Sequence, residues 1–95
     1  MKKRMPTTPG EILRKEFLEP LAMTQQQLAD HIGCDVKVIN RIVNGRSSLT
    51  AEMALKLGAT FRTSAEFWLN AQRAVDLYQA GSRLRTLPKS LRKAS

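Results

Sequence analysis

A chain of 95 residues, 42% hydrophobic and 25% charged, can bury one modest core but not two. No apolar run approaches the roughly 18 residues a membrane span needs. The basic opening "MKKRMPTTPGE" leads into no continuous apolar segment, so a membrane or secreted protein is excluded and a cytoplasmic one is expected. The net charge of +8 is unevenly placed, because eight acids and eight bases balance between residues 5 and 81. The excess sits on Lys2, Lys3 and Arg4 at one end and on Arg83, Arg85, Lys89, Arg92 and Lys93 at the other. Residues 1–7 and 82–95 therefore read as basic arms flanking a neutral domain, 8–81, and such arms favour a polyanionic partner. The single cysteine, Cys34, permits no internal disulfide, which fits a reducing compartment.

Five residues, Thr8, Thr24, Asp35, Thr50 and Ser64, each stand before a helical pattern as N-caps able to accept from a free backbone N–H. The first helix opens with "TPGE", in which Pro9 takes the first helical position and Glu11 is spaced to complete a capping box with Thr8; Pro20 follows its end. The second repeats the box with Thr24 and Gln27 and stops at Gly33, and the third starts after Asp35 and stops at Asn44-Gly45. A fourth helix is predicted over 51–61, and a fifth over 65–80, closed by Gly81. Gly58 inside the fourth costs about 1 kcal/mol against alanine, which points to a close helix contact there. No strand alternation competes, so the fold class is all-α with five helices. The remainder, "SRLRTLPKSLRKAS", has Leu84, Leu87 and Leu91, a proline and no acid, and is expected to be a flexible tail in the free protein, with docking of its leucines on a partner as the alternative.

On a wheel stepped at about 100° per residue from Val36, the residues Val36, Val38, Ile39, Ile42 and Val43 fill the arc from about 200° to 360°. Lys37, Asn40, Arg41 and Asn44 fill about 40° to 140°. One face is apolar; the other holds two cations, two amides and no carboxylate. A helix in the DNA major groove needs that chemistry, since Arg and Lys address guanine, Asn addresses adenine, and phosphates repel acids. The preceding helix carries an apolar stripe of Leu28, Ala29 and Ile32, and the three-residue turn Gly33-Cys34-Asp35 forces the pair to cross steeply. This is a helix-turn-helix over 24–44.

"QQQLADHIGCDVKVINRIVNGR" resembles the phage-repressor (XRE-type) helix-turn-helix at Gln25, Leu28, Ala29, Gly33, Ile39, Ile42 and Asn44-Gly45-Arg46. A longer resemblance, to the HigA (VapI-like) antitoxins, rests on three separated stretches: Pro9-Gly10-Glu11-Ile12-Leu13, Leu49-Thr50-Ala51-Glu52-Met53-Ala54, and Ser64-Ala65-Glu66-Phe67-Trp68-Leu69-Asn70. It implies a lambda-repressor-like fold and a small dimeric protein that binds operator DNA and is partnered by a HigB toxin that cleaves mRNA on ribosomes. The final fourteen residues fall outside the shared pattern.

In the resembled repressors the equivalents of Val36, Lys37, Asn40 and Arg41 face the groove, and the wheel independently places three of the four there. Lys37 and Arg41 are assigned to guanine edges, Asn40 to adenine and Val36 to a thymine methyl. Gln25, at a helix start, and Asn44, Arg46 and Ser47, after the third helix, are assigned to backbone phosphates. The expected core is Ile12, Leu13, Phe17, Leu21, Leu28, Ile32, Ile39, Ile42, Met53, Leu57 and Phe61. The fifth helix has more apolar surface than so small a core can receive, so Phe67, Trp68, Ala71, Val75 and Tyr78 are assigned to a homodimer interface. His31 and Cys34 supply two ligands where a structural metal needs about four, so neither a metal nor another cofactor is expected. No catalytic constellation is present. Glu11, Glu16, Glu19 and Asp30 give the first two helices an acidic character suited to a basic toxin. The alternatives are a regulator without a toxin and a protein-interaction module.

Overall fold

The computed structural model describes residues 4–92; Lys2, Lys3 and Lys93, assigned to the arms, lie outside them. All five expected caps form. The side chains of Thr8, Thr24, Asp35, Thr50 and Ser64 accept from the backbone N–H of Glu11, Gln27, Lys37, Met53 and Phe67. They open helices α1 (Pro9–Ile12), α2 (Gln25–Ile32), α3 (Val36–Val43), α4 (Ala51–Phe61) and α5 (Ala65–Arg83). The Thr24–Gln27 box closes in both directions. The Thr8–Glu11 box does not, because Glu11 turns to Lys15 at 3.7 Å instead of back to the cap.

The first helix holds the largest departure from the sequence pattern. α1 passes directly into a π-helical segment, Leu13–Leu18, whose wider turn ends with the Glu19 N–H on the Arg14 carbonyl at 2.9 Å. In α-geometry residues five apart point about 140° away from each other. The wider turn brings Leu13 and Leu18 into the same core, 0% and 4% exposed. Past it the chain turns through Ala22 at φ 51°, and Leu21, expected in the core, is 58% exposed. Leu18 has taken its place.

Around Leu13, Leu18, Leu28, Ala29, Ile39 and Ile42 the core continues through Leu49, Met53, Ala54, Leu57 and Trp68, with Ile12, Phe17, Ile32 and Phe61 packed against it. Trp68 is its largest member and donates its indole N–H to Thr63 Oγ1 at 2.7 Å. Phe17 and Phe61 close on it with ring centroids 5.4 and 6.5 Å away. Trp68 and Val75, 0% and 6% exposed within a single chain, are thus withdrawn from the expected dimer surface. A helix of this length needs one face for its own core, and these two residues lie on it.

Two glycines mark close approaches. A Cβ on Gly10 would collide with the Ile42 carbonyl oxygen, so α1 can meet the end of α3 only without a side chain there. At Gly58 such a Cβ would stand 2.8 Å from the Thr63 carbonyl and 3.3 Å from the backbone nitrogen of Ala65, so the close helix contact that the sequence suggested is made with the turn into α5 and its first residue. Gly81 does not close α5, which runs on to Arg83; nothing lies within 4 Å of a Cβ built on Gly81. Residues 84–92 follow in exposed, irregular chain. None of the helices among the described residues is long and apolar enough to cross a membrane, and those residues hold no metal-ligand cluster.

Candidate nucleic-acid interface

The turn between α2 and α3 is built by Gly33, whose φ of 87° is left-handed, and by the N–H groups of Gly33 and Cys34, which both reach the Ala29 carbonyl, at 2.8 and 3.0 Å. Ala29 is fully buried. A small residue there lets α3 cross close over α2. Ile39 and Ile42 enter the core, Val36 and Val43 pack at its edge, and this fixes the rotation of α3 about its axis. Val38, on the edge of the expected apolar arc, is 37% exposed.

That rotation sets the opposite face. Gln25, Val36, Lys37, Asn40, Arg41, Arg46 and Ser47 line one shallow concavity, and no carboxylate lines it. Asn44 joins them through a chain of amides: Asn44 Nδ2 donates to Asn40 Oδ1, and Asn40 Nδ2 donates to Gln25 Oε1, both at 3.1 Å. All eight residues assigned to nucleic acid from the sequence are therefore neighbours. Val36 is half-buried, so it offers only part of its surface, while Lys37, Asn40 and Arg41 are exposed.

The amide chain leaves defined bonding capacity. A primary amide has two N–H donors and two lone pairs. Asn40 spends one of each on its neighbours, which leaves one donor and one acceptor, the pair that an adenine edge matches. Gln25 spends lone-pair capacity on Asn40 and keeps its NH2, and a phosphate can only accept. Gly45, at φ 69°, turns the chain out of α3 so that the Arg46 N–H caps the Arg41 carbonyl at 2.8 Å. The exposed side chains of Arg46 and Ser47 thereby stay beside the helix end.

One participant escaped the sequence analysis. The segment after α3 is tied at its far end to α5, where the Leu49 N–H donates to Gln72 Oε1 at 2.9 Å. No sequence signal links positions that far apart.

The acidic character of the first two helices is reduced by internal pairing. Glu19 meets Arg14 at 2.7 Å and Glu11 meets Lys15 at 3.7 Å, while Asp30 accepts from Gln26. On α5 the outward surface holds Phe67, Ala74, Leu77 and Gly81, with Leu77 67% exposed and Ala71 and Tyr78 half-buried.

A family model described as helix-turn-helix matches residues 15–68. Over 83 residues the chain is 42% identical to the Escherichia coli (strain K12) HTH-type transcriptional regulator YbaQ, covering 87% of this chain and 74% of that protein. It is 43% identical to antitoxin HigA-1 of Vibrio cholerae serotype O1, covering 85% and 76%. Among solved structures, Pseudomonas aeruginosa antitoxin HigA with the higBA promoter superposes with a TM-score of 0.79 at 39% identity, covering 81% of this chain and 84% of that one.

Proposed function

The chain belongs to the XRE-type helix-turn-helix family, on its HigA-like branch, and from that premise we propose that it is an operator-binding antitoxin. As a homodimer it binds double-stranded DNA upstream of its own operon and represses it, and it neutralises a HigB-type mRNA-cleaving toxin. The observation that carries the DNA reading is the concavity shared by Gln25, Val36, Lys37, Asn40, Arg41, Arg46 and Ser47, cationic and amide-rich with no acid in its lining. Lys37 and Arg41 address guanine, Asn40 adenine and Val36 a thymine methyl. Gln25, Asn44, Arg46 and Ser47 hold phosphates and set the register. The basic tail adds affinity without sequence preference through counterion release.

Dimerisation uses the outward stripe of α5, with Phe67, Ala71 and Tyr78 joined by Ala74, Leu77 and Gly81. A two-fold axis there presents two recognition helices about 34 Å apart, one turn of DNA. The toxin meets the acidic side of the first two helices; reversing the charges of Glu16 and Glu19 should abolish toxin capture, and unchanged capture would remove this surface from consideration. A regulator acting without a toxin is the second reading. It is favoured by the equal likeness to YbaQ and by the internal pairing of Glu11 and Glu19.

The deciding experiment is binding of the purified chain to its own upstream DNA against scrambled competitor at two salt concentrations. Tight, competitor-resistant binding to a palindromic site is expected. Weak binding to both DNAs that vanishes with salt would mean that only the basic arms engage.

A further inference from the structure

Among the described residues, two side-chain hydrogen bonds join positions more than ten apart in the chain. One is the Asn40–Gln25 bond inside the helix-turn-helix. The other crosses from the segment after α3 to α5: Gln72 Oε1 accepts from the Leu49 N–H at 2.9 Å, while Gln72 Nε2 donates to Asp76 Oδ1, also at 2.9 Å. Both ends of the Gln72 amide are therefore committed. Because Asp76 can only accept, the amide oxygen must face the loop, and the contact has a single orientation.

The loop that this bond reaches is anchored at its start by the Gly45 and Arg46 N–H groups on the carbonyls of Ile42 and Arg41. At its far end Leu49 enters the core, 5% exposed. Between the anchors Arg46, Ser47 and Ser48 stand exposed, and they share a cleft with Gln72 and Asp76. Apolar burial holds the Leu49 side chain but is non-directional and does not by itself set the direction of its backbone N–H. A hydrogen bond to the backbone N–H fixes that orientation.

We propose that Gln72 is a positioning residue for operator binding. By holding the Leu49 N–H, with its own amide set by Asp76, it keeps the 45–49 loop in the conformation in which Arg46 and Ser47 meet backbone phosphates. The proposal rests on the operator reading given above and extends it to a residue on α5 outside the recognition concavity. Without the bond, ordering of the loop is deferred to the moment of binding and opposes it. Since α5 also carries the proposed dimer stripe on its other side, Gln72 ties phosphate contact to the helix that sets the spacing between half-sites.

The test uses the full chain with three changes. Gln72→Met removes both bonds at nearly constant volume. Gln72→Glu keeps the acceptor for Leu49 but turns a carboxylate on Asp76. Gln72→Glu combined with Asp76→Asn restores a donor–acceptor pair in reversed order at the original net charge. Operator affinity is read across a salt series, and exchange of the Leu49 amide is read in the free protein. Gln72→Met should bind about tenfold more weakly, with a log–log salt slope shallower by about 1 as the Arg46 contact loosens. Leu49 exchange should accelerate at least about tenfold. The double variant should return affinity to within about threefold of the original chain, and Gln72→Glu alone should not.

Affinity loss with an unchanged slope, or fast Leu49 exchange with unaltered binding, would overturn the proposal and leave Gln72 a purely structural residue. A double variant that folds but fails to recover binding would overturn it as well. If the original chain shows no preference for its own upstream DNA, the operator reading falls and this proposal with it. Leu49 exchange separately reports whether the bond itself forms.

Discussion

Helices α3 and α5 each bury one face and leave the other outward, yet the outward faces have opposite chemistry. α3 buries Ile39 and Ile42 and presents Lys37, Asn40 and Arg41. α5 buries Trp68 and Val75 and presents Phe67, Ala74, Leu77 and Gly81, with Asn70 the polar residue among them. A cationic, amide-bearing surface suits a polyanion whose base edges are read by hydrogen bonds. An uncharged apolar stripe gains little from water or phosphate and suits another protein surface, a second copy of itself included. Burial orients both helices by the same rule, and the residues left over choose the partner.

The largest effect is expected at Trp68, which lies in the core. Trp68→Ala should cost about 3–5 kcal/mol of folding stability, measured by urea denaturation, with the same loss at low and high protein concentration. A loss that grows with concentration would return Trp68 to the dimer face. Next is Arg41→Ala, expected to cost about 1–3 kcal/mol of operator affinity and to relax preference at one base position, while thermal unfolding stays close to that of the unaltered chain. Uniform weakening on all sequences would make Arg41 a phosphate contact, read by a base-substitution series.

On the other side of the comparison, Leu77→Lys places a charge in the apolar stripe of α5. Self-association should weaken at least tenfold, about 1.4 kcal/mol, in sedimentation experiments, with little change in the unfolding of the single chain. A sedimentation profile identical to the original would remove the stripe as the interface. The smallest effect is expected at Gly81→Ala. Alanine in a helix is favoured by about 0.5–1 kcal/mol over glycine, and Gly81 has open space around it in one chain. Thermal unfolding of dilute protein should rise slightly; a fall confined to high concentration would show that another helix packs against Gly81.

Much of this was legible because capping is local. Each cap accepts an N–H two or three residues ahead, so Thr8, Thr24, Asp35, Thr50 and Ser64 announced the helix starts without reference to the rest of the fold. The α3 face was legible for a related reason: a period near 3.6 sorts eight residues into two sides whatever they pack against. Leu21 was not legible, because the π-helical turn at Leu13–Leu18 brings Leu18 into the core and nothing in the local sequence marks that wider turn. Trp68 and Val75 were misread because an amphipathic helix with a wide apolar surface does not say which part of it meets its own core.

The sequence by itself determined the number of helices, their starts, the helix-turn-helix and the set of side chains that gather on its outer face. The helix starts and the two sides of α3 depend on contacts within a few residues along the chain, while Gln25 and Val36 were placed on that face by the resemblance to known repressors, and Gln25 meets Asn40 across the turn. The tertiary structure alone decided which apolar face of α5 is spent internally, why Gly10 must lack a side chain beneath the Ile42 carbonyl, and that Gln72 holds the loop after α3. Those are meetings of residues tens of positions apart, set by how five helices pack together, and no local period or cap encodes them.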